Sequence, residues 1–364
     1  MIDEKVYDCE ADFIIPPGET LLETIEELDI TQVELAKRTG RPVKTINEII
    51  KGKTKITPDT ALQFERVLGV PASLWNNLEK DYRELLAKEE DKKNLKNSVD
   101  FLDEFPIKEM IRNGWIKHKE NDFNQVEELF EFFGVASVTS WESFWEPQVS
   151  FRKSTALKAD KYAVIAYLRK AEIEAHKIDC SPYKSGDFRK IIEQIRGLTK
   201  EKNPDIFIPK IVESCASAGV AVVFLPELKG TRLSGATKWL NKDKAMIVLS
   251  ARHKTNDHLW FTFFHEAGHV LLHNKKSTFV EGNANYEDDE NEQEANKFSA
   301  DILIPEDKYD KFTNSNTTLS AEKVTKFADQ IGIHPGIVVG RLQRDKILPY
   351  SHLNKLKERY EWKK

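Results

Sequence analysis

Residues 261–273 read FTFFHEAGHVLLH, and the way this stretch folds decides the architecture around it. It is apolar on both sides of a His-Glu-x-x-His centre, which suits a largely buried helix. At 100° per residue, His265 and His269 differ by about 40° around the axis and by one turn along it, so both imidazoles can reach one ion. Glu266 lies about 100° from His265 and about 60° from His269, on the flank of the same face. That placement suits a base acting on water at the ion rather than a third ligand. The plainer alternative is a helix with polar residues at its exposed edge, and the apolar flanks weigh against it.

A catalytic zinc takes three protein ligands and an open position for water. His273 lies one further turn along, but eight residues of rise place it about 12 Å from His265 along the axis, which suits a structural role. Lys275 stands where a ten-residue histidine spacing would supply a ligand, which removes that arrangement. A carboxylate from elsewhere is needed, and residues 281–294 offer seven. On a helix starting near Glu290, the residues Ala295, Phe298, Ser299, Ile302 and Leu303 form an apolar stripe. Glu292 falls about 60° from its centre and Glu294 about 100° away, so Glu292 looks inward more. Asn296, one turn after Glu292, could hold its carboxylate. Glu281, Glu287, Asp288, Asp289 and Glu290 read as a solvated loop and helix start.

Upstream of this helix the period switches to that of strands at 220–225, 234–240 and 245–250, the last two joined by a hairpin turn at 241–244. The strand at 234–240 could pair an extended peptide if it forms a sheet edge; an interior strand is the alternative. Downstream, helices are expected at 290–304, 306–313, 320–331 and 335–345. His334 and Arg341 are candidates for stabilising an oxyanion or supporting the site, against the plainer reading of a loop histidine and a helix-surface arginine. Residues 101–197 read as helical and carry no chemical motif. Their aromatic residues Trp141, Phe144, Trp145 and Phe151 fit a structural core better than a peptide-binding surface.

The N-terminal part is punctuated by Gly and Pro into five short helices at 19–28, 31–39, 43–51, 58–68 and 71–86, with apolar positions such as Leu21, Ile25, Leu35, Ile46, Ile49, Leu62, Phe64, Leu74 and Trp75. Residues 88–96 are charged and read equally as a linker or as the solvated end of a long helix. The helices on either side of Gly40 have the spacing a helix-turn-helix needs to seat its second helix in a major groove. Between Thr31 and Pro58 stand seven bases and two acids, whereas the preceding 30 residues hold ten acids and one base. Such a local basic face is what phosphate contact requires. Gln32, Lys37, Arg38, Arg41, Lys44, Thr45, Asn47 and Lys51 are the candidates for phosphate and base contacts, with solvated helix surface as the plainer reading of each.

Composition limits the rest. A chain of 364 residues, 40% of them hydrophobic, is about twice the common domain size, so more than one packed unit is expected. Its 55 basic and 60 acidic residues leave a net charge of −5, which excludes a uniformly basic nucleic-acid coat. Cys9, Cys180 and Cys215 are too few and too scattered for a disulfide framework. The opening MIDEKVYDCEAD is acidic where a secretory signal is basic and then apolar, and the longest apolar runs fall short of a membrane span. A cytoplasmic protein with no membrane partner is expected.

HEAGHVLLH followed by ENEQEANKFSADILIP resembles the ImmA/IrrE family of zinc metallopeptidases over roughly the last 150 residues. That resemblance places the third ligand on the first Glu of the E-x-E-A-N segment, Glu292, in agreement with the helical-face argument, and implies a zincin-like α+β domain. The segment ITQVELAKRTGRPVKTINEIIKGKTKIT resembles the XRE type of helix-turn-helix. With PPGETLLETIEE and ITPDTALQFERVLGVPASLWNNLEKDY around it, it is similar to HigA-type antitoxins over about 70 residues. This implies binding of double-stranded operator DNA, commonly as a homodimer.

The expected fold is mainly α, of the α+β class. It comprises a five-helix helix-turn-helix domain (1–86), a helical middle region (87–200) and a zincin-like domain with a small sheet (201–364). The expected function is a DNA-binding regulator fused to a zinc endopeptidase that cleaves a partner regulator or repressor. Zinc held by His265, His269 and Glu292 would acidify water to a pKa of about 7, with Glu266 as the base; manganese or iron also suits two imidazoles and a carboxylate. The alternative is an antitoxin or repressor whose zincin-like domain senses a ligand or binds a toxin without catalysis.

Overall fold

The computed structural model describes residues 15–150, 160–250, 254–273, 279–280, 290–315 and 319–361. The chain divides into two compact units, Met1–Ser98 and Val99–Lys364.

The first unit is five helices: α1 (Pro17–Glu27), α2 (Gln32–Thr39), α3 (Val43–Ile50), α4 (Pro58–Leu68) and α5 (Ala72–Asn97). Each start and stop has a local cause. Thr31 and Thr57 cap α2 and α4 by accepting from the backbone N–H of Glu34 and Thr60, and Pro58 fits the first turn of α4. Gly40 and Gly69 end these helices with φ of 73° and 74°, a conformation that costs glycine nothing. Leu21, Ile25, Leu35, Ile46, Ile49, Phe64 and Trp75 close one core. At Gly18 a Cβ would stand 2.2 Å from the Ile49 carbonyl oxygen, so the start of α1 rests directly on the end of α3. The buried Glu79 accepts from the Ile56 N–H at 3.0 Å, which anchors the loop before α4. Leu62 and Leu74 depart from their expected inward placement: both are 44% exposed, because their helices present other stripes to the core. The charged 88–96 stretch is the continuation of α5, so of its two readings the helix is the one observed.

The second unit is built on a four-stranded sheet in the order β1-β3-β2-β4, where β1 is Val220–Leu225, β2 Gly235–Asn241, β3 Lys244–Ser250 and β4 Phe279–Val280. β1 runs parallel to β3, while β2 is antiparallel to both β3 and β4. Alternate residues serve two cores. Val220, Val222, Ala245, Ile247 and Leu249 face one, and Ala221, Val223, Met246 and Val248 face the other. Burial on both faces explains why β1 and β3 read as unbroken apolar runs.

The helices before β1 are α6 (Ile107–Arg112), α7 (Asp122–Phe133), α8 (Val138–Ser150), α9 (Lys161–Lys177), α10 (Ser185–Ile195) and α11 (Pro204–Ser217). Residues of α7, α8 and α9 share a core with one face of the sheet, and Trp141 and Trp145 are buried there, whereas Phe144 is exposed. Phe151 and Cys9 lie outside the described residues. α10 and α11 cover the other face together with α12 (Asn256–Leu272), α13 (Glu290–Leu303), α14 (Glu306–Asn314), α15 (Ala321–Ile331) and α16 (Pro335–Arg344). The strand β2 is no free edge along Ala236–Thr237, because β3 lies on one side and β4 on the other. No helix among the described residues is long and apolar enough to cross a membrane.

Close backbone approaches hold α12 in place. Gly336 and Gly340 of α16 leave no room for a Cβ against Asn256 Oδ1 (2.7 Å) and Asp257 Oδ2 (2.6 Å). Lys357 pairs with Asp257 at 2.6 Å and also donates to Gln343 Oε1. On the other side Ser299 of α13 donates to the Phe261 carbonyl at 2.8 Å. Arg196 donates to the carbonyls of Ile302 and Leu303, satisfying acceptors that the end of α13 would otherwise leave open.

Candidate metal centre and helix-turn-helix surface

His265 and His269 project from one face of α12, with their Nε2 atoms 2.9 Å apart. Glu292, from the first turn of α13, brings Oε2 to 3.2 Å from His265 Nε2 and Oε1 to 3.6 Å from His269 Nε2. All three residues are buried, and one ligand atom from each lies within 4.8 Å of the others. The convergence depends on Gly268, where a Cβ would stand 3.1 Å from Phe298 Cδ1 and 3.3 Å from Ala295 Cα. A glycine there lets α13 lie close against α12.

The electrostatics match the donor set of a divalent ion. Burial pushes the His269 imidazole down to about 4, with the neighbouring Glu292 acting against it. Burial alone would raise the Glu292 carboxyl, but hydrogen bonds and charge attraction from His265 and His269 outweigh it and hold the acid well below the usual carboxylate range. A neutral His269 imidazole and an ionised carboxylate are the forms in which these residues ligate metals. Two nitrogens and an oxygen suit zinc, and manganese or iron as well.

Glu266 is fully buried on the flank of the same helix face. Thr237 of β2 donates to Glu266 Oε2 at 2.6 Å and lies 3.1 Å from its carbonyl oxygen. At Gly235 a Cβ would stand 2.9 Å from Glu266 Cγ, so this glycine admits the carboxylate beside the strand. Neither Thr237 nor Gly235 carries a signal in the sequence, since their roles depend on which strand passes over α12. His269 Nδ1 lies 2.9 Å from His273 Nδ1, and His273 Nε2 lies 3.2 Å from Glu294 Oε2. Here the four-residue spacing from His269 to His273 was a readable signal.

Asn296 is half-buried and lines a cavity of about 400 Å³ with Phe261, Thr262, Ala300 and Arg341. Arg341 bonds Asp345 at 2.7 Å and covers the Tyr309 ring. Of the two readings of His334, the structure shows its ring engaged at the start of α16. Its Nδ1 caps α16 by accepting from the Gly336 N–H at 3.0 Å and pairs with Asn256 Nδ2, while Nε2 lies 3.6 Å from Glu358. Glu281, Glu287, Asp288, Asp289 and Lys275 lie outside the described residues.

In the first unit, Gln32 opens α2 and accepts from Asn47 Nδ2 of α3 at 3.3 Å, bridging the two helices of the motif. Lys37, Arg38, Lys44 and Lys51 are exposed, and Arg41, Thr45 and Asn47 are half-buried. Arg38 pairs with Glu34 and Lys44 with Glu48, each one turn away on its own helix. Arg41 donates to Gln63 Oε1 at 2.6 Å, which ties the turn to α4.

Residues 215–342 match the peptidase family described as the IrrE N-terminal-like domain, and residues 21–75 match a helix-turn-helix family. The chain joins an XRE-type helix-turn-helix domain to an IrrE-like peptidase domain. Its helix-turn-helix domain is similar to an uncharacterized HTH-type transcriptional regulator, YddM of Escherichia coli. The two are 29% identical over 63 residues, which is 17% of this chain and 67% of the relative. Among solved structures it is similar to the Pseudomonas aeruginosa antitoxin HigA with higBA promoter, at 30% identity over 22% of this chain and 89% of that one, with a TM-score of 0.22. A HigA-family addiction module antidote protein from Coxiella burnetii is 32% identical over 24% of this chain and 90% of its own, with a TM-score of 0.20. His265, His269 and Glu292, the buried cluster that could hold a metal ion, all belong to the segment matched by the IrrE-like domain.

Proposed function

We propose that this protein is a cytoplasmic DNA-binding regulator whose IrrE-like domain hydrolyses a peptide bond in a partner regulator or repressor. The observation that carries this reading is the convergence of His265, His269 and Glu292 from two helices, with the buried Glu266 beside them. Those three residues would hold a zinc ion, and Glu266 stays outside the ligand set. The ion, when bound, supplies Lewis acidity that polarises the scissile carbonyl and acidifies water. Glu266 takes the proton of the attacking water and passes it to the departing amine. Thr237 holds Oε2 of that carboxylate by a hydrogen bond and so orients the base. The cavity lined by Phe261, Asn296 and Arg341 accommodates a side chain flanking the cleaved bond.

The helix-turn-helix domain brings the peptidase to its target. Gln32, Arg41, Thr45 and Asn47 read or flank bases, while Lys37, Arg38, Lys44 and Lys51 meet phosphates of double-stranded operator DNA, with a homodimer on a two-fold site. A peptidase tethered at an operator meets a DNA-bound repressor at high effective concentration.

Glu266→Gln tests the proposal. The variant is expected to keep zinc and operator binding while losing about 100-fold or more in cleavage rate, read as new protein N-termini in cells carrying either form. Identical N-termini and identical regulatory output from both forms would support a non-catalytic sensor, or an antitoxin bound to a toxin, in place of the enzyme.

A further inference from the structure

A hydrogen-bond chain runs from solvent to one of the proposed metal ligands. His269 Nδ1 lies 2.9 Å from His273 Nδ1, and His273 Nε2 lies 3.2 Å from Glu294 Oε2. The His273 side chain is only 3% exposed, while Glu294 sits at the solvent end of the chain. A neutral imidazole has one N–H and one lone pair, so the protons along this chain can be assigned. The Glu294 carboxylate only accepts, so His273 donates to it from Nε2 and turns its Nδ1 lone pair toward His269. His269 must then donate from Nδ1, which leaves a lone pair on Nε2. That Nε2 is the atom lying 2.9 Å from His265 Nε2 and 3.6 Å from Glu292 Oε1. The opposite assignment would aim the His273 Nε2 lone pair at a carboxylate oxygen and place a proton on the His269 nitrogen that faces the other ligands.

We propose that His273 and Glu294 are positioning residues that lock His269 in its Nδ1–H form and aim its Nε2 at the ion. The inference rests on the reading of His265, His269 and Glu292 as ligands. It gives a role to the third histidine of HEAGHVLLH and to the second glutamate of ENEQEAN, neither of which touches the ion. An imidazole held this way is a better oriented and more basic ligand, and such partners are worth about 10- to 100-fold in metal affinity.

Two measurements on the zinc-loaded full chain test it. The first is the tautomeric state of each ring, from long-range proton–nitrogen correlations on protein labelled with nitrogen-15 at histidine. The second is zinc affinity, by competition with a chromophoric chelator, for the wild type and for His273→Ala, His273→Gln, Glu294→Gln and Glu292→Gln. The expected result is Nδ1–H on His269 and Nε2–H on His273. His273→Ala should weaken zinc binding about 10- to 100-fold, and His273→Gln, whose amide oxygen still accepts, should recover part of the loss. Glu294→Gln, at an exposed position that leaves the core untouched, should give a smaller loss. The inference is overturned by the reverse tautomers, or by wild-type affinity in His273→Ala while Glu292→Gln loses zinc. Wild-type affinity in Glu292→Gln would instead remove the ligand assignment, and the inference with it.

Discussion

Gly268 of the HEAGH segment packs against Ala295, and a Cβ on Gly268 would stand 3.3 Å from Ala295 Cα and 3.5 Å from Ala295 Cβ. This contact sets how near α13 comes to α12, and so whether Glu292 reaches His265 and His269. A large side chain at position 268 must push the helices apart, because both backbones are at the contact. Gly268→Leu is expected to lower zinc affinity at least about tenfold and to destabilise the fold by about 1–3 kcal/mol. Chelator competition and thermal unfolding check both; unchanged affinity would show that the helix spacing does not set the centre.

Thr237 donates to the carboxylate of the proposed base, Glu266. Thr237→Val keeps the shape and removes the donor. A hydrogen bond to a charged group contributes about 1.5–3 kcal/mol, so kcat is expected to fall roughly 10- to 100-fold at unchanged zinc content. Loss of zinc in this variant would instead place Thr237 among the supports of the metal centre.

Acid should destabilise the metal-free protein in a defined window. Burial holds His269 at about 4 against an ordinary 6.5, so the unfolded chain takes up a proton that the folded protein refuses. The stability linked to His269 is present above pH 6.5 and is lost as pH falls toward 4. Glu292 acts in the same direction below its ordinary 4.5. Its desolvation is outweighed by its histidine partners, so its contribution is present above that pH and declines below it. Tm of the metal-free protein is expected to fall steadily from pH 6.5 to 4, and less so in His269→Gln. Equal slopes for the two proteins would contradict the assignment.

The basic turn of the first unit makes a salt-dependent prediction. Lys44 and Lys51 are exposed on or next to α3, so each Lys→Ala change is expected to reduce the slope of log affinity against log salt by about one. Gln32→Ala removes the bridge to Asn47 and should weaken binding to the cognate operator more than to random duplex. Fluorescence anisotropy over a salt series measures both effects, and an unchanged slope in both lysine variants would move the DNA face elsewhere.

Much of this was legible in the sequence because periodicity and spacing are local properties. The histidine pair, the flanking Glu266 and the inward placement of Glu292 follow from helical pitch alone. The strands β1 and β3 declare themselves as apolar runs between turns. What pitch could not show is which element crosses which. Thr237 and Gly235 meet Glu266 only because β2 passes over α12, and β2 is covered by a two-residue strand too short to announce itself. His334 is a candidate by residue type alone, and the tertiary contacts that use its ring, the cap on α16 and the pairing with Asn256, have no local signal. The helices α7, α8 and α9 carry no motif because their work is to share a core with one face of the sheet, and packing leaves only a hydrophobic signature.

The central claim is that one ion sits between α12 and α13, and zinc-edge anomalous diffraction from zinc-loaded crystals tests it most directly. A single strong peak is expected, bonded at about 2.0–2.2 Å to His265 Nε2, His269 Nε2 and a Glu292 oxygen. A peak bound instead between His273 and Glu294, or the absence of one at His265, His269 and Glu292, would contradict it.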